Sequence, residues 1–186
     1  MTSWQKGRAL LGKKIESESL PFSTFVADIL ARNPSRVKGT AIYLAGSAQT
    51  TPRALLHNYK HNQALHERIL VLTVRSEEIP FVSGENRILL KDLGSGVYRL
   101  SCTFGFMETP DVPSILRLVT IDGKNIDPLQ VSYFLGKEQL VISNTVGMPV
   151  WRKRIFAFLS KNSTDASSFF KLPPNRVVEF GSQIEF

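Results

Sequence analysis

Cysteine is almost absent from this chain. The single thiol, Cys102, excludes an internal disulfide and any zinc site built from several cysteines. It fits a reducing compartment. Its place after Arg99-Leu-Ser predicts a small apolar residue in a strand, not a catalytic nucleophile. Long hydrophobic runs are missing too. Nothing approaches the ~18 consecutive apolar residues that a membrane-crossing helix needs, so no segment here is expected to span a bilayer. The N-terminal stretch lacks the apolar core of a secretory signal. Gly94-Ser-Gly96 lacks the lysine and following helix of a phosphate-binding loop and reads as a hairpin turn. There is no internal repeat, low-complexity tract or long linker. Histidine is scarce, and all three residues, His57, His61 and His66, fall within 54–67.

What is present suits an ordinary folded core. The chain has 186 residues, of which 42% are hydrophobic, enough for one domain with an appendage. The formal charge of +7 is unevenly spread. Residues 1–38 carry seven Lys/Arg against three acids, and residues 39–186 carry sixteen against thirteen. The basic excess is thus concentrated at the N-terminal end. A nucleic-acid binder would show a sustained basic face with interleaved aromatics, which is not seen. Trp4, Lys6, Arg8, Lys13 and Lys14 instead suit a segment beside a membrane, since Trp favours the interface and Lys/Arg flank cytoplasmic helix ends.

The pattern along the chain is α/β. A basic helix is expected over 4–15. A second begins after Pro21, with Phe22, Phe25, Val26, Ile29 and Leu30 as its apolar stripe, and ends at Asn33-Pro34. Residues 40–45 read as a strand. Thr51-Pro52 opens a helix over 53–65, and 69–74 is an apolar run suited to a central strand. Segments 87–93 and 97–106 flank the Gly94–Gly96 turn as a hairpin. A short helix follows over 113–119, led by Thr109-Pro-Asp111. Segments 131–135 and 139–143 suggest a further strand pair around Gly136-Lys137. Residues 151–159 are amphipathic, a short helix closes at 169–172, and 177–180 is a late strand. The expected fold is α/β: a mixed β-sheet with at least one antiparallel hairpin, flanked by helices, after a basic N-terminal helical segment.

The histidine-rich stretch admits several readings. His57 and His61 are four apart, one turn on one helix face, a real metal-ligand spacing. The sequence is His-Asn-Tyr-Lys-His, without the glutamate of a metalloprotease helix. Asn58 and Asn62 recur at the same spacing and can tie a helix to its neighbours by hydrogen bonds. The four together, His57, Asn58, His61 and Asn62, could also form a polar lip around a nucleotide at a strand's carboxyl end, or an inter-subunit contact. Glu108 and Asp111 flank Pro110. That spacing suits a helix start with Asp111 at its N-terminus better than a catalytic acid pair.

Short motifs in a fixed order carry a resemblance. They are Trp4-x-x-Gly-Arg8, Gly39-Thr-Ala, Pro52-x-Ala-Leu-Leu-His-Asn58, Lys60-His-Asn62, Leu65-His-Glu67, Tyr98-Arg99, Gly105-Phe-Met-Glu108, Pro110-Asp-Val-Pro113, Ser132-Tyr-Phe-Leu-Gly136, Trp151-Arg152, Phe169-Phe170 and Leu172-Pro-Pro-Asn-Arg-Val-Val-Glu179. With them the chain resembles the C-terminal cytoplasmic region of the Kup (Trk-D, KUP/HAK) potassium uptake transporters. Tyr59, Lys137 and Ser163 depart from the family pattern without disturbing it. The resemblance implies a soluble tail at the cytoplasmic face of the cell membrane, an inner membrane in a Gram-negative cell. Residues 1–38 would be the juxtamembrane segment and 39–186 the cytosolic domain. K⁺ import, with H⁺ as the expected co-transported ion, would belong to the membrane part, so no ion-binding residue carries over. The expected role is regulation or assembly without chemistry or cofactor of its own. The expected partners are the transporter's membrane domain and a second copy of the chain, with no nucleic acid. A nucleotide effector such as ATP or cyclic di-AMP is one alternative. A stand-alone metal protein or enzyme at His57 and His61 is the other.

Overall fold

A computed structural model describes residues 9, 11, 12, 19–83, 87–141 and 165–185. The expected helix 4–15, with Trp4, Lys6, Arg8, Lys13 and Lys14, is largely outside these residues and the helix 151–159 wholly so; those five side chains are among the residues not described.

Helix α1 spans Phe22–Arg32 and buries Phe22, Phe25, Val26 and Ile29. Each side chain contributes about 1.5–3 kcal/mol by leaving water. Asn33 ends the helix in the left-handed region, φ 42°, with its N–H on the Ile29 carbonyl. Leu30 departs from the expected stripe and is exposed. Eight steps of ~100° carry it about 80° past Phe22, off the narrow face that meets the sheet.

Strand β1 (Ser35–Ala45) starts earlier than expected and shifts register between Val37 and Thr40, around Gly39 at φ 115°. Helix α2 (Arg53–Asn62) stops three residues short of Leu65. Gln63 turns left-handed at φ 49°, and β2 (Ala64–Glu77) begins at once. Leu65 therefore reaches the core through a strand, with no exposed surface, and His66 and Glu67 belong to that strand.

Strands β3 (Ile88–Asp92) and β4 (Val97–Gly105) form the expected antiparallel hairpin. Gly94 and Gly96 take positive φ, and an added Cβ on Gly96 would lie 2.1 Å from the Glu67 carbonyl oxygen. Helix α3 (Val112–Leu116) starts at Asp111, whose carboxylate accepts from the Ser114 N–H at 2.9 Å. A two-stranded flap follows, β5 (Thr120–Ile121) with β6 (Lys124–Asn125). The expected strand pair around Gly136-Lys137 is not formed. Residues Ser132–Val141 make one continuous strand, β7. Gly136 and Lys137 stay extended because they lie in the ladder with Phe180 and Gly181 of β8 (Val177–Glu185), which follows α4 (Ala166–Phe169) and a 3-10 turn.

The sheet runs β3-β4-β2-β1-β7-β8, parallel throughout except for β3. Helices α1 and α2 cover one face over Ala41, Tyr43, Leu65, Ile69, Val71, Val97 and Phe134. The other face, under α3 and the flap, gathers Ile42, Leu70, Leu72, Leu100, Cys102, Tyr133 and Leu135. Strand order reverses between β1 and β7, where the chain first builds outward to β4 and then returns. The carboxyl end of the parallel strands carries the turns at 46–51, 78–83 and 106–111.

Candidate functional site

The residues singled out in 54–67 separate into three groups in space. Asn58 sits on the apolar face of α2 with Ala54 and Leu55, and is buried. Its Nδ2 donates to Tyr43 Oη at 3.0 Å, and its Oδ1 accepts from Asn62 Nδ2 at 2.7 Å. Tyr43 has no exposed surface and stacks on Phe134, centroids 4.7 Å apart. Burial pushes its phenol pKa upward, so the hydroxyl stays protonated. The two asparagines thus form a polar strut from helix to sheet. Asn58 on an otherwise apolar helix face was the sequence signal; Tyr43 as its partner was not readable.

His57 and His61 are the second group. Their rings are near-parallel, 6.1 Å apart between centroids, and His57 also stacks on Phe180 of β8 at 6.4 Å. His66, the third, is on β2 against Phe134 at 5.7 Å. Burial holds its imidazole pKa below the usual value, and its Nδ1 is buried without a hydrogen-bond partner. Among the described residues no cluster of three or more His, Cys, Asp or Glu is placed to hold a metal. Helix α2 runs from the carboxyl end of the strands toward their amino end, so Asn62 abuts the start of β2. The lip that the sequence suggested at a strand's carboxyl end is therefore not where these four residues lie.

Cys102 is buried in β4, and burial pushes its thiol up to about 12. A thiol that stays protonated is a poor nucleophile. Glu108, which sequence reasoning weighed as an acid, is a clamp. Its carboxylate accepts from the N–H groups of Gly105 (2.7 Å) and Val82 (3.1 Å) and pairs with Arg87. Those backbone bonds, with Arg87, lower its pKa. Arg87 in turn lies over the Phe104 ring at 5.1 Å. Gly105 permits this: an added Cβ would lie 2.2 Å from the Pro80 carbonyl oxygen.

None of these groups assembles into a reaction centre, and the motifs point elsewhere. Residues 38–186 match the family model described as "K+ potassium transporter C-terminal domain". The chain belongs to this family. Curated relatives agree over its whole length. The "Probable potassium transport system protein Kup 2" of Syntrophobacter fumaroxidans is 44% identical over 184 residues, 99% of this chain and 29% of that protein. "Kup 1" of Geobacter sulfurreducens is 44% identical over 186 residues, 100% of this chain and 30% of that protein. The Kup protein of Pseudomonas aeruginosa is 42% identical over 185 residues. This potassium transporter domain therefore spans 29–30% of the length of these first relatives. No solved structure matches it significantly. Among its described residues no helix is long and apolar enough to cross a membrane.

Proposed function

We propose that this is the cytoplasmic regulatory and assembly domain of a Kup-type potassium uptake transporter. The observation that carries the reading is the match over 38–186 to a transporter C-terminal domain, in a chain without a membrane-crossing helix among its described residues. The full protein imports K⁺, with H⁺ as the co-transported ion, through a membrane part that precedes this domain. The domain performs no chemistry and needs no cofactor. Residues 1–38 link it to the membrane, and α1 within that stretch already packs on the sheet. A domain biases a transport cycle only if it makes different contacts in two states of the transporter. Removing residues 39–186 from the full-length protein should change K⁺ uptake rate or its regulation. Unchanged uptake kinetics at equal membrane abundance would overturn the reading.

A specific observation favours a second reading, a nucleotide-responsive module. The strand order reverses between β1 and β7, and open α/β sheets bind ligands at the carboxyl ends of strands beside such a reversal. The turn at 46–50 would then carry the ligand. Calorimetric titration with ATP and with cyclic di-AMP tests it, and no heat at high micromolar ligand removes it. For His57 and His61, with Asn58 and Asn62 behind them, we infer an inter-subunit contact. His61 is exposed, and His57 stacks on β8, the last strand of the sheet. A homodimer that persists in light scattering when both histidines are changed to alanine would overturn that inference.

A further inference from the structure

Four large apolar side chains stand together at the carboxyl end of β2 and β4. Ile79 is 51% exposed, Phe81 63%, Phe106 60% and Met107 62%. Scattered exposed apolar residues need no explanation, but a cluster held in place does. The Phe106 N–H donates to the Ile79 carbonyl at 3.0 Å, and the Met107 N–H to the Pro80 carbonyl at 3.2 Å. The Glu108 carboxylate fastens both segments, accepting from the N–H groups of Gly105 and Val82. The backbone is fixed in a way that turns the apolar side chains outward, and no buried cluster takes them in.

The charge around the patch is the reverse of the chain's. Exposed Glu77 and Glu78 flank it. No Lys or Arg occurs between Arg99 and Arg117, Arg87 is paired with Glu108, and Lys171 reaches the 106–111 turn as the partner of Asp111 at 3.7 Å. Arg75 is the remaining cation near in sequence, two positions back along β2. In a protein of net charge +7 this is an acidic rim around an apolar centre. An anionic lipid surface would repel such a rim. A protein surface rich in Lys and Arg would complement it.

The path of the chain supplies the partner. Ser19 and Leu20 arrive at this same end of the sheet. The Leu20 carbonyl accepts from the Thr51 N–H at 2.9 Å and from its Oγ1 at 2.8 Å, and Pro21 bridges Thr50. Relatives extend well beyond this chain, which covers 29–30% of their length, and the family is a C-terminal domain. The described chain therefore enters the domain at the end that bears the patch. Cytoplasmic loops of membrane proteins carry excess Lys and Arg.

We propose that Ile79, Phe81, Phe106 and Met107, rimmed by Glu77 and Glu78, dock this domain on the basic cytoplasmic loops of the transporter's own membrane part. The proposal rests on the transporter reading above and names the surface through which it acts. The test places a photo-crosslinking phenylalanine analogue at Phe106 of the full-length transporter in native membranes, with products mapped by mass spectrometry. The expected product joins residue 106 to a Lys/Arg-bearing loop of the membrane part. Its yield falls about tenfold in Glu77→Lys/Glu78→Lys, which sets like charge against like. The same analogue at Leu129, exposed ahead of β7 at the opposite end of the sheet, gives no such product. Lipid adducts alone, products confined to this domain or its second copy, or no product would each overturn the docking surface. Uptake measured after removal of 39–186 separates the two claims. A changed uptake with no crosslink sinks the surface and leaves the function; a crosslink with unchanged uptake does the reverse.

Discussion

Whether Asn58 is a strut or a ligand contact can be decided by its energetics. Its amide is buried and bonded at 3.0 Å to Tyr43 Oη, itself without exposed surface. Asn58→Ala leaves that hydroxyl in the core without its hydrogen bond. An unsatisfied buried polar group costs about 1–3 kcal/mol. For a chain of this size each kcal/mol lowers the melting temperature by roughly 2–4 °C, so a loss of about 2 kcal/mol means about 4–8 °C. Tyr43→Phe should cost less, about 1 kcal/mol, because Asn58 keeps its bond from Asn62. The decisive variant is the double change, Tyr43→Phe with Asn58→Ala, which removes both polar partners at once. Its destabilisation should fall short of the sum of the singles by about 0.5–3 kcal/mol, the range found for groups in direct contact. Urea denaturation of the four proteins gives the coupling directly. Additive effects, or an Asn58→Ala loss below about 0.5 kcal/mol, would refute the strut.

Further outcomes follow from the same geometry. Gly105→Ala drives a Cβ to 2.2 Å from the Pro80 oxygen and should destabilise by about 1–3 kcal/mol in denaturant titration. Gly136→Ala, in extended strand with nothing within 4 Å, should be neutral or stabilising by up to ~1 kcal/mol, whereas a turn glycine would not tolerate it. Glu108 has a folded pKa below its unfolded value of about 4.3. Its contribution is complete above that pH and disappears as pH falls through the folded pKa, so Glu108→Gln should flatten the acid limb of a stability–pH curve. His66 is likewise held below its unfolded value of about 6.5. The unfolded chain takes up the proton first, so stability falls as pH drops below ~6.5, and His66→Gln should remove that slope.

Local chemistry made much of this fold legible in the sequence. The glycines around Ser95, the left-handed Asn33 and the Asp111 cap all act within a few residues of themselves. Pairing between distant segments was hidden. Gly136-Lys137 looks like a turn until β8, some forty positions on, lies beside it. Leu65 looks helical because its spacing from Ala54 and Leu55 fits α2, yet the sheet needs it more than the helix does. The candidate site shows the same division. His57 and His61 were correctly placed on one helix face, while the Asn58–Tyr43 bond links positions fifteen apart across two elements. The clamp role of Glu108 was hidden because two of its partners, Val82 and Arg87, lie more than twenty residues upstream.

The two ends of the sheet differ in a way that bears on how such a domain could act on a transporter. At the amino end of the strands, Arg36 bonds the carbonyls of His66 and Ser95, both at 3.0 Å, and ties β1, β2 and the hairpin turn together. That end is closed on itself. At the carboxyl end the incoming chain is fastened to the turn before α2 through Leu20 and Thr51, and the Phe22 N–H bonds the Gln49 carbonyl at 2.9 Å. A flexible linker there would absorb any movement of the preceding segment. Hydrogen bonds to β1's own connection instead pass that movement to the sheet. Since Glu108 fixes the apolar patch to the same end, on the docking proposal a tilt of the domain would make or break the patch's contact with the membrane part. That is the differential contact a two-state regulator requires. Glu108→Ala in the full-length transporter should therefore weaken the Phe106 crosslink while Leu20 and Thr51 keep their bonds. A crosslink of full strength in that variant would show that the clamp is not what presents the patch.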